Sequence, residues 1–432
     1  MAKSQAIKPG YLFTPKYTNY VFSLLFLLYM FDYIDRTIVS ALLPDIMAEY
    51  GLDFEKGAYV YSVVYLSIFA LTIPISALVD RWSRRKTIGI MATIWSLATA
   101  ACAITTNFAG LLVARSFIGT GEAGYSPGGS AMISAMYPKE KRSWIMGLWN
   151  ASIPLGSAIG VLVGGIIVVH WGWRSAFGIV AIPGLIIALL FFKVKDYKTA
   201  ILVKKKSVDN SISKARMGVM DMAKYLFGKP ALVLTYFGFT AVVFVTTSIL
   251  AWLPTYFHNM YNIPMDKAGP KASMIMLLAL IGAPLGGYLT DQWRKKRINA
   301  RLLLPGIAIL LSCIFSFIAF TIFTDVPQYI FLLLMGMTIT AFIPGAAAAT
   351  QDLVQPGIRA TSFAVAVAMQ TLLGGFFGPI AIGNIADKTS METAMKILPL
   401  FLLAGALFFF VGAMFYKKDL DKVEDVPLEV AE

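Results

Sequence analysis

Ionisable side chains lie in the middle of the first long apolar stretch of the chain. Residues 30–36 read Met-Phe-Asp-Tyr-Ile-Asp-Arg, which places the carboxylates of Asp32 and Asp35 close to the guanidinium of Arg36. A charge near the centre of a bilayer costs at least ~3 kcal/mol, so charges found there commonly have a function. Asp32 and Arg36 are four residues apart and share a helix face, which also permits a purely structural ion pair.

A second set of charges, Arg115 and Glu122, lies in the fourth apolar stretch. Seven residues make about two helical turns, so both side chains project from one face, ~10 Å apart along the axis. The two sets contain three carboxylates and two guanidiniums, so protonation of one acid makes the combined charge zero. We expect Asp35, Glu122 and Asp32 to couple protons to transport. When a carboxyl group is protonated, Arg36 or Arg115 becomes able to bind an anionic group of a solute. The structural alternative is a strut between Arg115 and Glu122.

The composition identifies an integral membrane protein. Of the 432 residues, 58% are hydrophobic and only 14% are charged, against about 25% charged in soluble domains. The net charge of +13 does not indicate nucleic-acid binding, because the basic residues lie in short segments between apolar stretches. Cys102 and Cys313 are expected to be packing thiols. The chain has no phosphate-binding GxxxxGK[ST] loop, catalytic triad or metal-ligand set. We therefore expect neither an enzyme nor a cofactor, with a proton gradient as the energy source.

Apolar stretches of about 20 residues or more, long enough to span a bilayer, occur twelve times. They cover roughly 17–43, 57–79, 87–106, 109–136, 143–169, 174–193, 230–257, 271–290, 301–323, 328–352, 360–386 and 393–416. The predicted fold is all-α, with twelve transmembrane helices in two six-helix bundles. The predicted divisions are an N-terminal tail (1–16), a first bundle (17–193), a linker (194–229), a second bundle (230–416) and a C-terminal tail (417–432).

Basic residues follow the second, fourth and eighth stretches, whereas the segment after the first stretch is acidic. Because cytoplasmic loops are enriched in Lys and Arg, we predict that both tails and the linker are cytoplasmic.

The two halves carry a weak internal repeat. Gly119, Pro127-Gly128 and Arg142 recur at identical spacings as Gly336, Pro344-Gly345 and Arg359. Two similar halves around a site at mid-membrane depth are typical of secondary transporters. The second half has no charged residue deep in its stretches, so its polar and aromatic side chains are the candidates for the non-ionic part of a solute. They are Trp252, Tyr256, Thr338, Thr340 and Gln370.

The segment after the second stretch, residues 80–86 (Asp-Arg-Trp-Ser-Arg-Arg-Lys), resembles the cytoplasmic loop signature of the major facilitator superfamily. The resemblance covers nearly all of residues 17–417 and implies the twelve-helix fold of that superfamily. It also implies that this loop and its second copy form a latch between helices. The residues expected in the latch are Asp80, Arg81, Arg84, Arg85, Arg142, Asp291 and Arg359.

Several strings also resemble Spinster-type transporters within that superfamily. They include 33–36 (Tyr-Ile-Asp-Arg), 121–126 (Gly-Glu-Ala-Gly-Tyr-Ser), 153–157 (Ile-Pro-Leu-Gly-Ser) and 239–246 (Phe-Thr-Ala-Val-Val-Phe-Val-Thr). This resemblance implies export of lysolipids or sphingoid-type amphiphiles, with Asp35, Glu122 and Arg115 in proton coupling. Some of the same strings are similar to organic-anion:cation symporters, which import sugar acids with protons. The strings identify the coupling residues better than they identify the solute.

The sequence therefore predicts a proton-coupled, alternating-access carrier of an amphiphilic or anionic organic solute, with a Spinster-like solute favoured. The alternatives are a proton-coupled importer of sugar acids or carboxylates and a non-transporting membrane scaffold. We expect a monomer in a bacterial inner membrane, whose partners are its solute, protons and membrane lipid, without nucleic acid. The residues expected to contact the solute are Arg36, Arg115, Tyr33, Tyr125, Asn150, Trp252, Tyr256 and Gln370.

Overall fold

A computed structural model describes residues 11–81, 83–196, 219–355 and 358–423. Its regular elements within these ranges are α-helices and one π-helical turn. The helices of the first half are α1 (Pro15–Tyr50), α2 (Phe54–Arg81), α3 (Arg84–Cys102), α4 (Phe108–Glu122), α5 (Tyr125–Met136), α6 (Lys139–Asn150) and α7 (Ser152–Phe191). A short helix, α8 (Val219–Phe227), precedes the second half. The second half contains α9 (Pro230–Tyr261), α10 (Met265–Leu277), α11 (Ala279–Arg294), α12 (Ala300–Thr321), α13 (Asp325–Thr338), α14 (Ile343–Asp352), α15 (Arg359–Met369), the π-helical turn Gln370–Phe376, α16 (Phe377–Lys388) and α17 (Met391–Leu420).

Helix α7 contains two membrane crossings that meet at Gly172. This glycine has φ +76°, a left-handed conformation that most other residues avoid. Before it, Gly156 packs on Met30 and Gly164 on Ile38, so α7 runs parallel to α1. After it, Gly184 packs on Ser96 of α3, and the Phe192 ring packs on Gly89 of α3. Later positions in the chain thus meet earlier positions of α3, so this segment runs antiparallel to α3. The described helices thus form twelve crossings, six in each half, as the sequence predicts.

Seven helical segments within the described ranges are long and apolar enough to cross a membrane by those two properties alone. They are Trp144–Phe191, Pro230–Tyr261, Met265–Arg294, Ala300–Thr321, Asp325–Asp352, Thr361–Lys388 and Met391–Leu420. Helix α1 is not among them, and Asp32, Asp35 and Arg36 lie in its middle. Three ionisable residues in the middle of α1 are costly in lipid, which indicates that their charges must be satisfied inside the protein.

Several crossings are built from two helices rather than one. The fourth crossing breaks between α4 and α5, directly after Glu122, and the tenth breaks between α13 and α14. The eighth breaks between α10 and α11, and the eleventh contains the π-helical turn. Breaks inside a membrane are tolerated where the backbone is buried in protein or lines a cavity, so these positions indicate the interior of the bundle.

The two halves meet at the end of the bundle that contains residues 50–56, which we call the distal end. There, the backbone N–H groups of Phe54 and Glu55 donate hydrogen bonds to the Asp387 carboxylate, at 2.7 and 2.8 Å. On the other side of the molecule, Gly165 of α7 packs against the backbone of Met265 in α10. The opposite end, which holds Pro15 and Leu420, is the proximal end. The prediction that the proximal end is cytoplasmic remains a prediction.

The predicted linker, residues 194–229, is only partly described. Residues 197–218 lie outside the described ranges, whereas Val219–Phe227 form helix α8, which the sequence analysis did not predict. Lys229, at its end, donates a hydrogen bond from Nζ to the Leu353 carbonyl at 2.7 Å and fixes the start of α9 against α14. Helices begin at Pro15 and Pro230, and α17 ends at Leu420 rather than at residue 416. The predicted divisions at 1–16, 17–193, 230–416 and 417–432 remain a prediction.

Gly156→Ala should destabilise the first half. An added Cβ atom would lie 2.3 Å from the Met30 carbonyl oxygen, so α1 and α7 would have to separate. Overpacking of this kind costs about 1–3 kcal/mol. The matched control is Gly147→Ala in α6, where an added Cβ atom meets nothing within 4 Å. Thermal unfolding followed by tryptophan fluorescence in detergent should show a lower midpoint for the first variant only. Equal midpoints would contradict the close packing of α1 on α7.

Candidate functional site

Arg36 lies between two carboxylates that come from different helices. Its Nη2 atom is 3.0 Å from Oδ2 of Asp32, one helical turn earlier in α1. Its Nε atom is 2.9 Å from Oε2 of Glu122, the last residue of α4. The carboxylates are almost fully buried, while the Arg36 side chain is 12% exposed. We call Asp32, Arg36 and Glu122 the charge cluster. It has one positive and two negative groups, so one proton would neutralise it.

The two ion pairs of the charge cluster differ in geometry. Asp32 accepts hydrogen bonds from Arg36 at both Oδ1 and Oδ2, at 3.2 and 3.0 Å from Nη2. Glu122 is close to Arg36 but is not aligned for a hydrogen bond, and among the described residues neither of its carboxylate oxygens has a hydrogen-bond partner. Because a buried carboxylate without donors is poorly stabilised as an anion, Glu122 is the more displaceable partner.

Aromatic rings surround the guanidinium. The Arg36 Cζ atom lies 4.8 Å from the centre of the Tyr33 ring and 6.0 Å from that of Tyr65 in α2. Tyr29 packs edge-to-face on Tyr33 and stacks on Trp149, with ring centres 5.4 and 4.4 Å apart. A cation beside aromatic faces and buried carboxylates is held at low dielectric, where charge interactions are strong. The site can therefore bind an anionic group at Arg36 and an apolar or sugar-like group against the rings.

Arg115 and Asp35 form a separate site behind the charge cluster. Arg115 is fully buried, and it donates hydrogen bonds from Nε to the Val60 carbonyl at 3.0 Å and from Nη1 to the Asp35 carbonyl at 3.1 Å. It therefore connects α4 to α2 and α1 through backbone groups. The strut between Arg115 and Glu122, which was the structural alternative, does not form in the described part of the chain. Arg115 and Glu122 share one face of α4, but Arg115 meets backbone carbonyls of α2 and α1, whereas Glu122 meets the side chain of Arg36.

The Asp35 side chain points towards α3 rather than towards Arg36. Its Oδ2 atom lies 3.1 Å from the Thr99 hydroxyl, which also lies 3.0 Å from the Trp95 carbonyl. One hydroxyl proton cannot satisfy both acceptors fully. Its Oδ1 atom has no hydrogen-bond partner among the described residues. Of the two acids in the middle of α1, Asp32 thus belongs to the charge cluster and Asp35 to the interior of the first half.

The predicted aromatic residues of the second half lie away from the charge cluster. Trp252 is buried, donates to the Pro379 carbonyl at 2.9 Å and packs on Phe54 at the distal end. Phe54 is eleven residues before Tyr65 in α2, about 16 Å along the helix. The Tyr256 hydroxyl accepts a hydrogen bond from Gln328 at 2.8 Å inside the second half. Both residues pack between helices away from Arg36, and their contact with the solute stays a prediction.

The remaining predicted contact residues differ in their surroundings. Tyr125 is buried and its hydroxyl donates to the Leu25 carbonyl. Asn150 is exposed at the end of α6 and its amide donates to the Met146 carbonyl at 2.8 Å. Gln370 begins the π-helical turn and is partly exposed.

The polar candidates Thr338 and Thr340 form hydrogen bonds within the second half. Thr338 bonds to the Ser312 hydroxyl, and Thr340 bonds to the Ala279 carbonyl. Of the predicted solute contacts, Tyr33 lies against Arg36 and Tyr125 packs on Tyr29, one ring further out.

The predicted latch residues make contacts within their own half where the structure describes them. Arg85 donates from Nη1 to the Val194 carbonyl at 3.0 Å, and Arg142 donates from Nε to the Tyr137 carbonyl at 3.1 Å. Asp291 and Arg359 are exposed. The side chains of Asp80 and Arg81 lie outside the described part of the chain, and Arg84 is half-buried at the start of α3. Their role as a latch stays a prediction.

Two contributors to the sites were not predicted from the sequence. Thr99 and Tyr65 are an ordinary hydroxyl and an ordinary ring within apolar stretches, and no spacing rule separates them from packing residues. At the proximal end, Asp352 binds Arg294 and Arg301, with N–O distances of 3.2 and 2.7 Å. That cluster joins three crossings of the second half. The sequence could have indicated this cluster, because its three charged residues lie at or near the ends of α11, α12 and α14.

The chain as a whole resembles known membrane proteins. The family model described as the Major Facilitator Superfamily matches residues 25–379, most of the chain. The chain belongs to this superfamily. Its members in the comparison include protein spinster homolog 1 of Xenopus laevis, which is 26% identical over 93% of this chain and 81% of the relative. The hexuronate transporter of Bacillus subtilis is also 26% identical, over 90% of this chain and 91% of the relative.

Solved structures agree on the fold of this superfamily member. A bacterial homologue of the human lysosomal transporter Spinster, in an inward-facing and unoccupied conformation, superimposes with a TM-score of 0.81 at 20% identity. The match covers 96% of this chain and 99% of that one. A D-xylose-proton symporter superimposes with a TM-score of 0.68 at 16% identity. The predicted major facilitator fold and the Spinster-like resemblance are thus confirmed, and the relatives are transporters rather than enzymes.

Arg115→Lys should destabilise the protein. A lysine ammonium cannot reach the Val60 and Asp35 carbonyls in the two directions that the planar guanidinium reaches. Loss of one charged hydrogen bond costs about 1.5–3 kcal/mol of unfolding free energy.

The matched control for Arg115→Lys is Arg297→Lys. Arg297 is an exposed residue just after α11, and the substitution keeps its charge. Surface substitutions usually change stability by at most about 0.5 kcal/mol, so this control should unfold near the wild-type midpoint. Thermal unfolding in detergent measures both variants. If the two lose stability equally, Arg115 does not connect the three helices as described.

Proposed function

We propose that this superfamily member is a proton-coupled carrier that works by alternating access. The observation that carries the proposal is the placement of one guanidinium between two buried carboxylates from α1 and α4. With both acids ionised, Arg36 is fully paired and the charge cluster has a net charge of −1. Protonation of Glu122 removes its negative charge and weakens its ion pair with Arg36. The Nε edge of Arg36 then becomes available to an anionic group. A proton and an anionic solute therefore favour the same state.

The preferred solute is an amphiphile with an anionic or polar head. Its head would bind Arg36, and its apolar part would lie against Tyr33 and Tyr65 and the facing surface of the second half. That surface is apolar near Tyr65, because Gly374 and Gly375 of the π-helical turn pack between Val243 and Tyr65. The Spinster relatives support this solute class, since a relative in Arabidopsis thaliana is described as a probable sphingolipid transporter.

A sugar acid is the second candidate solute. The hexuronate transporter of Bacillus subtilis and the probable L-galactonate transporter of Escherichia coli are as similar to this chain as the Spinster relatives are, at 26% and 27% identity. A carboxylate could bind the guanidinium of Arg36 in the bidentate manner that Asp32 uses, and the rings of Tyr33 and Tyr65 could pack on a sugar face. In either case we propose that the distal end is extracellular and that the protein resides in a bacterial inner membrane as a monomer.

Glu122→Gln and Asp35→Asn should abolish accumulation driven by a pH gradient and leave solute exchange intact. Each substitution keeps the shape of the side chain and removes the proton-binding group. Glu49→Gln is the control, since Glu49 is a surface acid outside both sites. Uptake into proteoliposomes, with and without an imposed gradient, measures the two activities. Full accumulation by both variants would contradict proton coupling through these acids.

Arg36→Ala should remove the preference for anionic solutes. A ligand at 100 times its Kd raises the free energy of unfolding by about 2.7 kcal/mol, so binding is measurable as a thermal shift. In the wild type, a lysophospholipid or a hexuronate should give a larger thermal shift at low pH, because proton and anion bind together. The Kd should fall by at most about tenfold for each unit by which the pH is lowered.

The comparison solutes for Arg36→Ala are a neutral monoacylglycerol and a neutral hexose. The variant should lose binding of the anionic member of each pair more than binding of the neutral member. A shift with the lysophospholipid alone favours the Spinster-like solute, and a shift with the hexuronate alone favours the sugar acid. Equal losses for charged and neutral members would count against contact between Arg36 and an anion.

A further inference from the structure

A carboxylate from the second half caps a helix of the first half at the distal end. Asp387, near the end of α16, accepts hydrogen bonds from the backbone N–H groups of Phe54 and Glu55, at 2.7 and 2.8 Å. These are the first two residues of α2, and the first N–H groups of a helix have no partner within the helix. A carboxylate at this position also interacts favourably with the helix dipole. The cap is therefore a polar contact that exists only while α2 and α16 touch.

Neighbouring residues make the same seam close and partly polar. The side-chain amide of Asn384 donates a hydrogen bond to the Glu55 carboxylate, which is also at the start of α2. Gly383 packs on the backbone of Phe54, where an added Cβ atom would lie 2.7 Å from the carbonyl oxygen. We call this contact between residues 54–55 and 383–387 the capping seam.

The equivalent contact on the other side of the molecule is built differently. There, α7 and α10 approach through Gly165 and Gly269, where added Cβ atoms would lie 2.5 Å from the Met265 carbonyl oxygen and 2.9 Å from that of Val161. This contact consists of backbone and glycine surfaces. Separation of α7 from α10 costs mainly van der Waals contact, whereas separation of the capping seam also leaves two backbone N–H groups of α2 without their acceptor.

The capping seam continues along α2 to the charge cluster. Tyr65 contacts the π-helical turn, where a Cβ atom at Gly375 would lie 2.5 Å from Cδ1 of its ring, and the same ring lies 6.0 Å from Arg36 Cζ. One helix pair thus carries both the distal cap and the ring that covers the guanidinium. Movement of α16 away from α2 would break the cap and uncover Tyr65 in one displacement.

We propose that Asp387 is a latch that selectively stabilises the state in which the distal end is closed. The proposal deepens the alternating-access function and rests on it. In the distal-open state Asp387 and the α2 N-terminus are apart, so the cap contributes nothing there. Removal of the cap should therefore raise the ratio of distal-open to distal-closed molecules by roughly fivefold, the typical effect of losing a helix N-cap.

Asp53 supplies a matched control for this latch. It also caps the start of α2, since its Oδ1 atom accepts from the Lys56 N–H at 2.7 Å and its Oδ2 atom pairs with Lys56 Nζ at 3.0 Å. Asp53 and Lys56 both belong to the first half, so these contacts persist when the halves separate. Asp53→Ala removes a cap from the same helix without removing a contact between the halves.

The test measures distances between spin labels by pulsed electron paramagnetic resonance. Labels are attached at Thr106→Cys and Val326→Cys, exposed distal positions in the first and second halves, with Cys102 and Cys313 replaced by Ala. Asp387→Ala should raise the population of the longer distance about fivefold relative to the shorter one. Asp387→Asn keeps one acceptor oxygen without the charge and should raise it by at least twofold, so it serves if Asp387→Ala does not fold.

Asp53→Ala should leave that ratio within twofold of the wild type. The latch is overturned if the folded Asp387 variants keep the wild-type ratio, or if Asp53→Ala changes the ratio as much as they do. Two distances with an unchanged ratio would contradict the latch alone. A single distance in every variant, at every pH and with every solute, would contradict alternating access as well.

Discussion

The attraction between Arg36 and two carboxylates is the interaction on which the interior of the first half depends. Burying any one of these three charges without an opposite charge beside it would be costly, so Arg36, Asp32 and Glu122 depend on one another. Breaking a buried pair by removing one partner typically costs about 3–5 kcal/mol. Since the partners come from α1 and α4, the requirement for charge compensation also fixes how these two helices meet. The same requirement makes a proton a natural third member, because two negative groups share one positive group.

Arg115 serves the first half in a different way. It has no carboxylate partner among the described residues and donates hydrogen bonds to the backbone carbonyls of Val60 and Asp35. This keeps a positive charge behind the charge cluster and leaves Asp35 with Thr99 as its side-chain contact. The first half therefore contains two ionic sites at similar depth, one facing the second half through Tyr65 and one sealed among α1–α4. Among the described residues, the ion pairs of the second half lie near helix ends, as at Asp352, and its distal end contributes the capping carboxylate of Asp387.

The sequence predicted the fold and the possible ion pair between Asp32 and Arg36, because both follow from local rules. Hydropathy and helix length give the crossings, and a spacing of four residues pairs Asp32 with Arg36. The sequence left the partner of Glu122 open between Arg36 and Arg115, since helix periodicity says which side chains share a face but not which helix that face meets. The contacts of Trp252 and Tyr256 could not be predicted for a related reason. A Trp or Tyr in an apolar stretch can pack between helices at any depth, and its partners, Pro379 and Gln328, lie far away in the sequence.

The interruption between α4 and α5 has a counterpart that carries no charge. By the internal repeat, Gly119 corresponds to Gly336 and Glu122 to Ile339, and the tenth crossing is interrupted at that same place, between α13 and α14. An apolar residue thus stands in one copy where an acid stands in the other. The discontinuity is a property of the duplicated scaffold rather than a product of the ionisable group. An acid and an apolar residue can therefore occupy the same bend without a different backbone.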